Sequence, residues 1–224
     1  MIAALFFAAA LAATPADLSA EARAAIAPVL DAIAAERAAQ AKLPPPKDDA
    51  EKLIRLGRLD QAPRMALPLV DLSKAPAAER AATGVAMNAA IKAVDAEAEA
   101  EVLKMVPPEG WFTRSRYGVE AANAAFLIIQ HSRVENWRRF LPVIEPLVAR
   151  GEASGESYAL MYDRLAVNEG RPQRYGSQFR CQAGKLAPFP LEDPVRVDAW
   201  RKQMGMSRTY ADQLAGLSKV KAPC

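Results

Sequence analysis

The sequence predicts a mostly α-helical protein, a single compact helical domain with an irregular, loop-rich C-terminal segment and little or no sheet. Three observations support this prediction. Ala, the best helix former, crowds the first hundred residues. Apolar residues recur at spacings of three and four along several stretches, which is the period of an amphipathic helix. No stretch shows the alternation of apolar and polar residues that is typical of a half-buried strand.

The helical period predicts seven helices, over residues 18–41, 49–60, 76–105, 118–132, 134–149, 155–167 and 196–216. Ser19 is the expected N-cap of the first helix, and Pro28 is expected to kink or split it. Pro63 and Pro68 are expected to make the chain after residue 60 irregular. Pro142 and Pro146 are expected to interrupt the helix over 134–149. The 118–132 segment is apolar nearly all round, which indicates a central, buried helix.

Residues 171–194 depart from this helical pattern. They hold no helical period and contain two glycines and four prolines, at positions 176, 184, 172, 188, 190 and 194. Such a composition predicts a loop or short extended structure. The segment supplies the irregular C-terminal part of the predicted domain.

The N-terminus resembles a secretory signal. Residues 2–13 are apolar without a break, and the first charged side chain is Asp17. The run is shorter than the roughly 20 apolar residues that span a bilayer, and small residues follow it. Residues 1–16 are therefore predicted to be a signal peptide, and 17–224 one exported domain, periplasmic or secreted, without a membrane span. The n-region lacks Lys and Arg, and the alternative is a buried N-terminal helix of the mature domain.

Several classes of partner and cofactor are not indicated. The net charge of +3 is mild, and a nucleic-acid footprint requires clustered Lys and Arg, so no nucleic-acid partner is predicted. The chain contains one His, and no Cys or His spacing suggests a metal site. Neither a Gly-x-Ser-x-Gly nucleophile motif nor a phosphate-binding glycine loop is present. The sequence implies no cofactor.

The two cysteines are Cys181 and the C-terminal Cys224. An even count in an exported chain permits one disulfide, which would connect the tail to the region after residue 175. Two free thiols are the alternative.

Two polar residues end the apolar 118–132 helix. At about 100° per residue, Val119 and Phe126 define its apolar face, and Gln130 falls within about 20° of Val119. Gln130 is therefore predicted to point into the core, where a polar group without partners costs on the order of 1 to 3 kcal/mol. His131 falls beside Leu127, at the edge of the same face. The interior next to this helix should then contain polar groups.

Asp163 and Arg164 are the nearest candidates for those groups. One interpretation makes His131 a general acid or base that Asp163 orients, and the other makes it a structural His bonded at the edge of the core. Asp163 and Arg164 are adjacent, so they point about 100° apart and should bind different partners on separate elements.

A series of short motifs then resembles a bacterial family, the domain of unknown function 6624. The motifs are Asp60-Gln61 with Arg64, Gly110-Trp111-Phe112, Gln130-His131, Asp163-Arg164, Gln173-x-Tyr175-Gly176-Ser177-Gln178 and Val197-Asp198-x-x-Arg201 leading to Gly205-Met206. Phe112 stands where the family has Pro, and Ser177 where it has Thr. The resemblance covers about residues 50–206. It implies that the polar residues form one pocket or buried network, namely Arg64, Gln130, His131, Asp163, Arg164, Gln173, Tyr175 and Gln178.

Two functional hypotheses follow from these residues. In the first, the protein is a hydrolase with His131 and Asp163 as its acid–base pair, and the remaining polar residues bind a small polar or anionic ligand. In the second, it is a non-catalytic binding or interaction module, and the polar cluster only braces the loop after Gly170.

Overall fold

The computed structural model describes residues 14–217, which form eight α-helices and one two-stranded antiparallel sheet. This architecture confirms the predicted mostly helical class. The hairpin strands are β1 (Phe179–Gln182) and β2 (Lys185–Pro188). The helices are α1 (Ala20–Gln40), α2 (Asp49–Ala66), α3 (Arg80–Met105), α4 (Arg114–His131), α5 (Val134–Ala149), α6 (Gly155–Asn168), α7 (Val197–Gln203) and α8 (Tyr210–Leu217).

The described residues divide into two compact units. The first contains residues 14–45 and 58–98, and the second contains residues 46–57 and 99–217, so the divisions fall inside α2 and α3. The single domain over residues 17–224 stays a prediction. The predicted signal peptide lies almost wholly outside the described residues, as does Cys224. No helix formed by residues 14–217 is long and apolar enough to cross a membrane.

In the first unit, α1 packs its apolar face into a small hydrophobic core. The side chain of Ser19 accepts the backbone N–H of Ala22 at 3.2 Å, which confirms the predicted N-cap. Ile26 and Val29 are fully buried and share a cluster with Met87 of α3. Between α2 and α3, two 3-10 turns at Leu67–Leu69 and Leu72–Lys74 contact α1.

Four prolines lie inside continuous helices, contrary to part of the sequence prediction. Pro28 lies within α1 and does not split it, and α2 passes through Pro63 as far as Ala66. Pro142 and Pro146 do not interrupt α5. A proline removes one backbone hydrogen bond, but an apolar stripe that packs well can offset that loss. In α5 this stripe is buried at Phe140, Leu141, Ile144 and Leu147.

In the second unit, α4 is the buried helix that the sequence predicts. Gly118 has φ +80° and ψ 161°, so the regular helix begins after it, as predicted. The assignment of Val119 to the apolar face is wrong, because this side chain is 57% exposed. Val119 lies in the first turn after the kink, and the buried face is formed further along the helix. An added Cβ on Gly57 of α2 would lie 2.6 Å from the Cβ of Ala124, so the two backbones approach closely there.

The C-terminal part of the second unit departs from the predicted helix over 196–216. This segment forms two helices, α7 and α8, with Gly205 between them at φ +70°. The extended structure predicted within residues 171–194 is present as the β1–β2 hairpin. Its turn residues Ala183 and Gly184 have φ values of 51° and 75°, as the type I′ turn of a tight hairpin requires.

Candidate functional site: a buried carboxylate and the loop it holds

Helix α6 supplies the central side chain of the site. The Ser154 side chain accepts the backbone N–H of Ser157 at 3.2 Å and caps the start of α6. One face of the helix is buried, and Asp163 lies on that face with 0% of its surface exposed. A fully buried carboxylate must be matched by hydrogen-bond donors or it destabilises the fold.

The donors come from the loop after Gly170. The carboxylate of Asp163 accepts the backbone N–H groups of Arg174 at 2.8 Å, Tyr175 at 3.0 and 3.2 Å, and Ser177 at 2.9 Å. Burial raises the pKa of Asp163, and these backbone N–H groups oppose that shift because they favour the charged form. The loop is therefore folded around the carboxylate of Asp163.

Arg201 of α7 donates hydrogen bonds to the same loop and to the chain that follows α7. Its Nη1 donates to the backbone oxygen of Tyr175 at 2.7 Å, its Nε donates to the backbone oxygen of Arg208 at 2.8 Å, and its Nη2 donates to Oε1 of Gln213 at 2.8 Å. The side chain is buried, and desolvation lowers the pKa of Arg201. Sequence reasoning did not propose Arg201 as a site residue. The only signal for it was its position in the motif that begins at Val197.

Gln173 braces the loop from within. Its Nε2 donates to the backbone oxygens of Gln178 at 3.1 Å and Phe189 at 2.9 Å, and its Oε1 accepts the N–H of Gln178 at 2.7 Å. The side chain is fully buried. Gln178 in turn donates to the side chain of Ser177 at 3.0 Å. Gln173 thus holds the loop backbone, and Gln178 binds a neighbouring side chain of the loop.

Tyr175 and Gly176 complete the turn. The Tyr175 ring is buried edge-on against the ring of Tyr162, with the centroids 5.6 Å apart, and burial raises the pKa of Tyr175 to about 12. Gly176 has φ +68°, and a Cβ there would lie 2.5 Å from the ring of Tyr210. Only glycine meets both requirements without strain. Asp163, Gln173, Tyr175, Gln178 and Arg201 are named the Asp163 cluster below.

Arg164 points away from this cluster, toward the C-terminus of α4. Its Nη1 donates to the backbone oxygen of Gln130 at 3.3 Å, and its guanidinium lies 5.9 Å from the ring centroid of Trp137. The Trp137 indole donates to the backbone oxygen of Ile129 at 2.9 Å. A cation at a helix C-terminus is favourable because of the helix dipole. The prediction that Asp163 and Arg164 bind different elements is confirmed.

Gln130 is buried as predicted, with 9% of its surface exposed. Arg164 binds its backbone oxygen, and its side-chain amide forms no hydrogen bond with another residue in the range 14–217. His131 is half-buried at the end of α4. Both oxygens of Asp163 accept backbone N–H groups of the loop, and His131 is not among the described residues bonded to them.

Arg64 belongs to the first unit. Its guanidinium donates to the backbone oxygen of Asp60 at 2.6 Å and to the carboxylate of Asp95 at 2.8 Å, and it approaches the Asp60 carboxylate at 3.3 Å. Asp60 is fully buried, so Arg64 neutralises an acidic interior position between α2 and α3. Its convergence with the Asp163 cluster stays a prediction.

The structure thus brings together four of the predicted residues, Asp163, Gln173, Tyr175 and Gln178, and adds Arg201 to them. Asp163, Gln173 and Arg201 bind backbone groups of the loop after Gly170, and Arg201 also binds Arg208 and Gln213. Within residues 14–217, no three His, Cys, Asp or Glu side chains are grouped closely enough to hold a metal ion. Cys181 lies on β1, but its predicted partner Cys224 lies outside the described residues, so the disulfide stays a prediction.

Comparison with known protein families gives a match. The model of the family described as "Family of unknown function (DUF6624)" matches residues 47–214, which is more than half of the 224-residue chain. Comparisons with curated proteins and with solved structures give no match. The matched range includes every element from α2 to α7 and every residue of the Asp163 cluster. The chain therefore belongs to this family of unknown function.

Proposed function

We propose that this chain is a non-catalytic binding module, in which the Asp163 cluster is structural and holds the loop after Gly170. One observation supports this proposal above all. Asp163 is fully buried, and its oxygens accept the N–H groups of three loop residues. A carboxylate in this position stabilises a backbone conformation.

A hydrolase with a His131 and Asp163 pair would require a different arrangement. The carboxylate that orients a catalytic His accepts a hydrogen bond from the imidazole, and the pair borders a space that substrate can enter. The loop N–H groups surround Asp163, and its side chain has no exposed surface. This geometry favours the binding module over the hydrolase.

Two single variants test the proposal. Asp163→Asn replaces one acceptor oxygen with an N–H donor that faces other donors, so we expect a loss of about 3 kcal/mol in the free energy of unfolding. Asp31→Asn, on the exposed side of α1, is the matched control and should change stability by less than about 0.5 kcal/mol. Unfolding in urea measures both. If Asp163→Asn were as stable as its control, the structural role would be wrong.

His131→Ala tests the alternative in the same assay. If His131 is structural, its replacement by Ala should lower the free energy of unfolding by about 1 to 3 kcal/mol. A catalytic His should leave the free energy of unfolding nearly unchanged. If His131→Ala left the urea midpoint unchanged and Asp163→Asn were as stable as the wild type, the results would favour the hydrolase over the binding module.

We also propose that the protein is exported after removal of residues 1–16. The apolar run over residues 2–13 supports this proposal. N-terminal sequencing of the protein from separated cell fractions tests it, and the expected result is a new N-terminus near residue 17 outside the cytoplasm. An intact Met1 in the cytoplasmic fraction would contradict export.

The predicted disulfide between Cys181 and Cys224 is tested on the same exported material. Alkylation before reduction should leave the mass of the intact protein unchanged, and alkylation after reduction should label two thiols. Labelling of both cysteines without reduction would exclude the bond.

A further inference from the structure

A cleft lies beside the Asp163 cluster in the second unit. Its volume is about 490 Å³, and its lining includes Glu156 of α6, Arg201 of α7, Ser207 and Arg208 of the following loop, and Gln213 and Gly216 of α8. This volume is within the range of about 300 to 1,000 Å³ that is usual for small-molecule sites. We name it the Arg201 cleft.

Arg201 gives the cleft a buried positive charge. Arg201 is one of the lining residues, and it is only 2% exposed. Three of its five N–H groups donate to two backbone oxygens and to Gln213, all uncharged acceptors. Among residues 14–217, no carboxylate forms an ion pair with it, although Asp198, Asp163 and Glu156 act on it from a greater distance. Two N–H groups of a buried guanidinium therefore remain for an anionic acceptor.

Two further charged residues line the same cleft. Arg208 and Glu156 are exposed, and neither forms an ion pair with another of the described residues. Ser207 and Gln213 add neutral polar groups. The lining of the cleft thus includes two residues with a positive charge and one with a negative charge. A concave site with a few convergent polar and charged groups is the usual form of a small-molecule site.

We propose that the Arg201 cleft binds a small organic molecule with a carboxylate at one end and a cationic group at the other. The planar guanidinium of Arg201 suits a carboxylate, which can accept from the two remaining N–H groups. Glu156 supplies the complementary charge for an ammonium group. The same carboxylate repels multiply charged anions, which disfavours phosphate esters and dicarboxylates.

This inference rests on the proposed binding function and names the ligand class. Calorimetric titration of the full exported chain tests it with ω-amino acids of increasing length, namely glycine, 4-aminobutyrate and 6-aminohexanoate. The matched ligands without the ammonium group are acetate, butyrate and hexanoate, and inorganic phosphate is the third kind of probe. At least one ω-amino acid should bind saturably, about tenfold more tightly than its matched acid, since a charge-assisted hydrogen bond contributes about a factor of ten.

Two variants locate the binding. Gly216 lines the cleft and a Cβ there would meet no atom within 4 Å, so Gly216→Leu adds a large side chain to the lining and should abolish the titration signal. Glu156→Gln keeps the shape of the exposed side chain and should remove the tenfold preference for the ω-amino acid. Glu135→Gln, at an exposed position in the first turn of α5, is the matched control and should bind as the wild type does.

Three results would overturn this inference: no saturable binding of any probe, unchanged binding in the Gly216→Leu variant at an unchanged melting temperature, or tighter binding of phosphate than of every ω-amino acid. None of them bears on the role of Asp163, which the urea experiments test separately. A failure of the ligand class is therefore distinguishable from a failure of the structural role.

Discussion

Asp163 accepts the backbone N–H of Tyr175 with both of its carboxylate oxygens, at 3.0 and 3.2 Å. The carbonyl of the same tyrosine accepts Nη1 of Arg201 at 2.7 Å. Two buried side chains of opposite charge, from α6 and α7, therefore bind the two backbone groups of one loop residue. The loop conformation therefore depends on both helices, because the charged groups of Asp163 and Arg201 fix the backbone at Tyr175.

Asp163→Glu tests how closely this arrangement depends on side-chain length. The substitution keeps the charge and adds one methylene at a fully buried position. We expect a loss of about 2 kcal/mol in the free energy of unfolding, because the longer side chain must displace the loop or leave its rotamer. Urea unfolding measures the loss. A variant as stable as the wild type would show that the loop adjusts to the carboxylate.

Gln173→Leu tests the neutral part of the cluster. Leucine has a similar volume but leaves unpaired the N–H of Gln178 and the carbonyl oxygen of Phe189, whereas the carbonyl oxygen of Gln178 keeps the N–H of Phe189 at 3.3 Å. We expect a loss of about 1 to 3 kcal/mol in the free energy of unfolding, since two part-buried backbone groups lose their partner. Gln182→Leu on the exposed hairpin is the control, with a change of less than about 0.5 kcal/mol. Equal urea midpoints for the two variants would contradict the bracing role of Gln173.

The helices of this fold follow from sequence pattern, and the site follows from it only in part. The period of apolar residues predicts α5 and α6 nearly to the residue, because burial of one helix face dominates their stability. The adjacency of Asp163 and Arg164 predicts that they bind different elements, because that follows from helix geometry. The partners themselves are not predictable, since the backbone N–H groups that bind Asp163 carry no residue identity.

Contacts between residues that are far apart in the chain also explain where the sequence predictions were wrong. Proline is a local signal, and local propensity loses to packing in α2 and α5. Arg201 resembles a surface arginine in the sequence, because two of its acceptors are backbone carbonyl oxygens, which carry no residue identity. The predicted single helix over residues 196–216 is divided at Gly205, because this glycine has a left-handed conformation although the apolar period continues past it.

Gly57→Ala tests the close approach of α2 and α4 in the second unit. The new Cβ would lie 2.6 Å from the Cβ of Ala124 and 3.2 Å from its Cα, so the helices must separate. We expect a loss of about 1 to 3 kcal/mol from overpacking. Gly84→Ala in α3 is the matched control, because its nearest neighbour is 3.7 Å away and alanine favours helix. In calorimetry, Gly57→Ala should melt at a lower temperature than the wild type, and Gly84→Ala at the same or a higher temperature. A melting temperature for Gly57→Ala at or above that of the wild type would contradict the close approach.

Tyr175→Phe tests the stability of the site in alkaline solution. Burial raises the pKa of Tyr175 from its ordinary value of 10.0 to about 12, so the folded protein holds this proton when the unfolded chain has already released it. The free energy of unfolding should then fall as pH rises from 10 to 12, by up to about 2 kcal/mol from this residue. Phenylalanine has no proton to lose, so the variant should lack that part of the decline. Urea unfolding at pH 8, 9, 10, 11 and 12 measures it. Plotted against pH, the free energies of unfolding of the wild type and the variant should run parallel below pH 9 and converge or cross above pH 10. Curves that stay parallel to pH 12 would show that Tyr175 ionises as readily in the folded protein as in the unfolded chain.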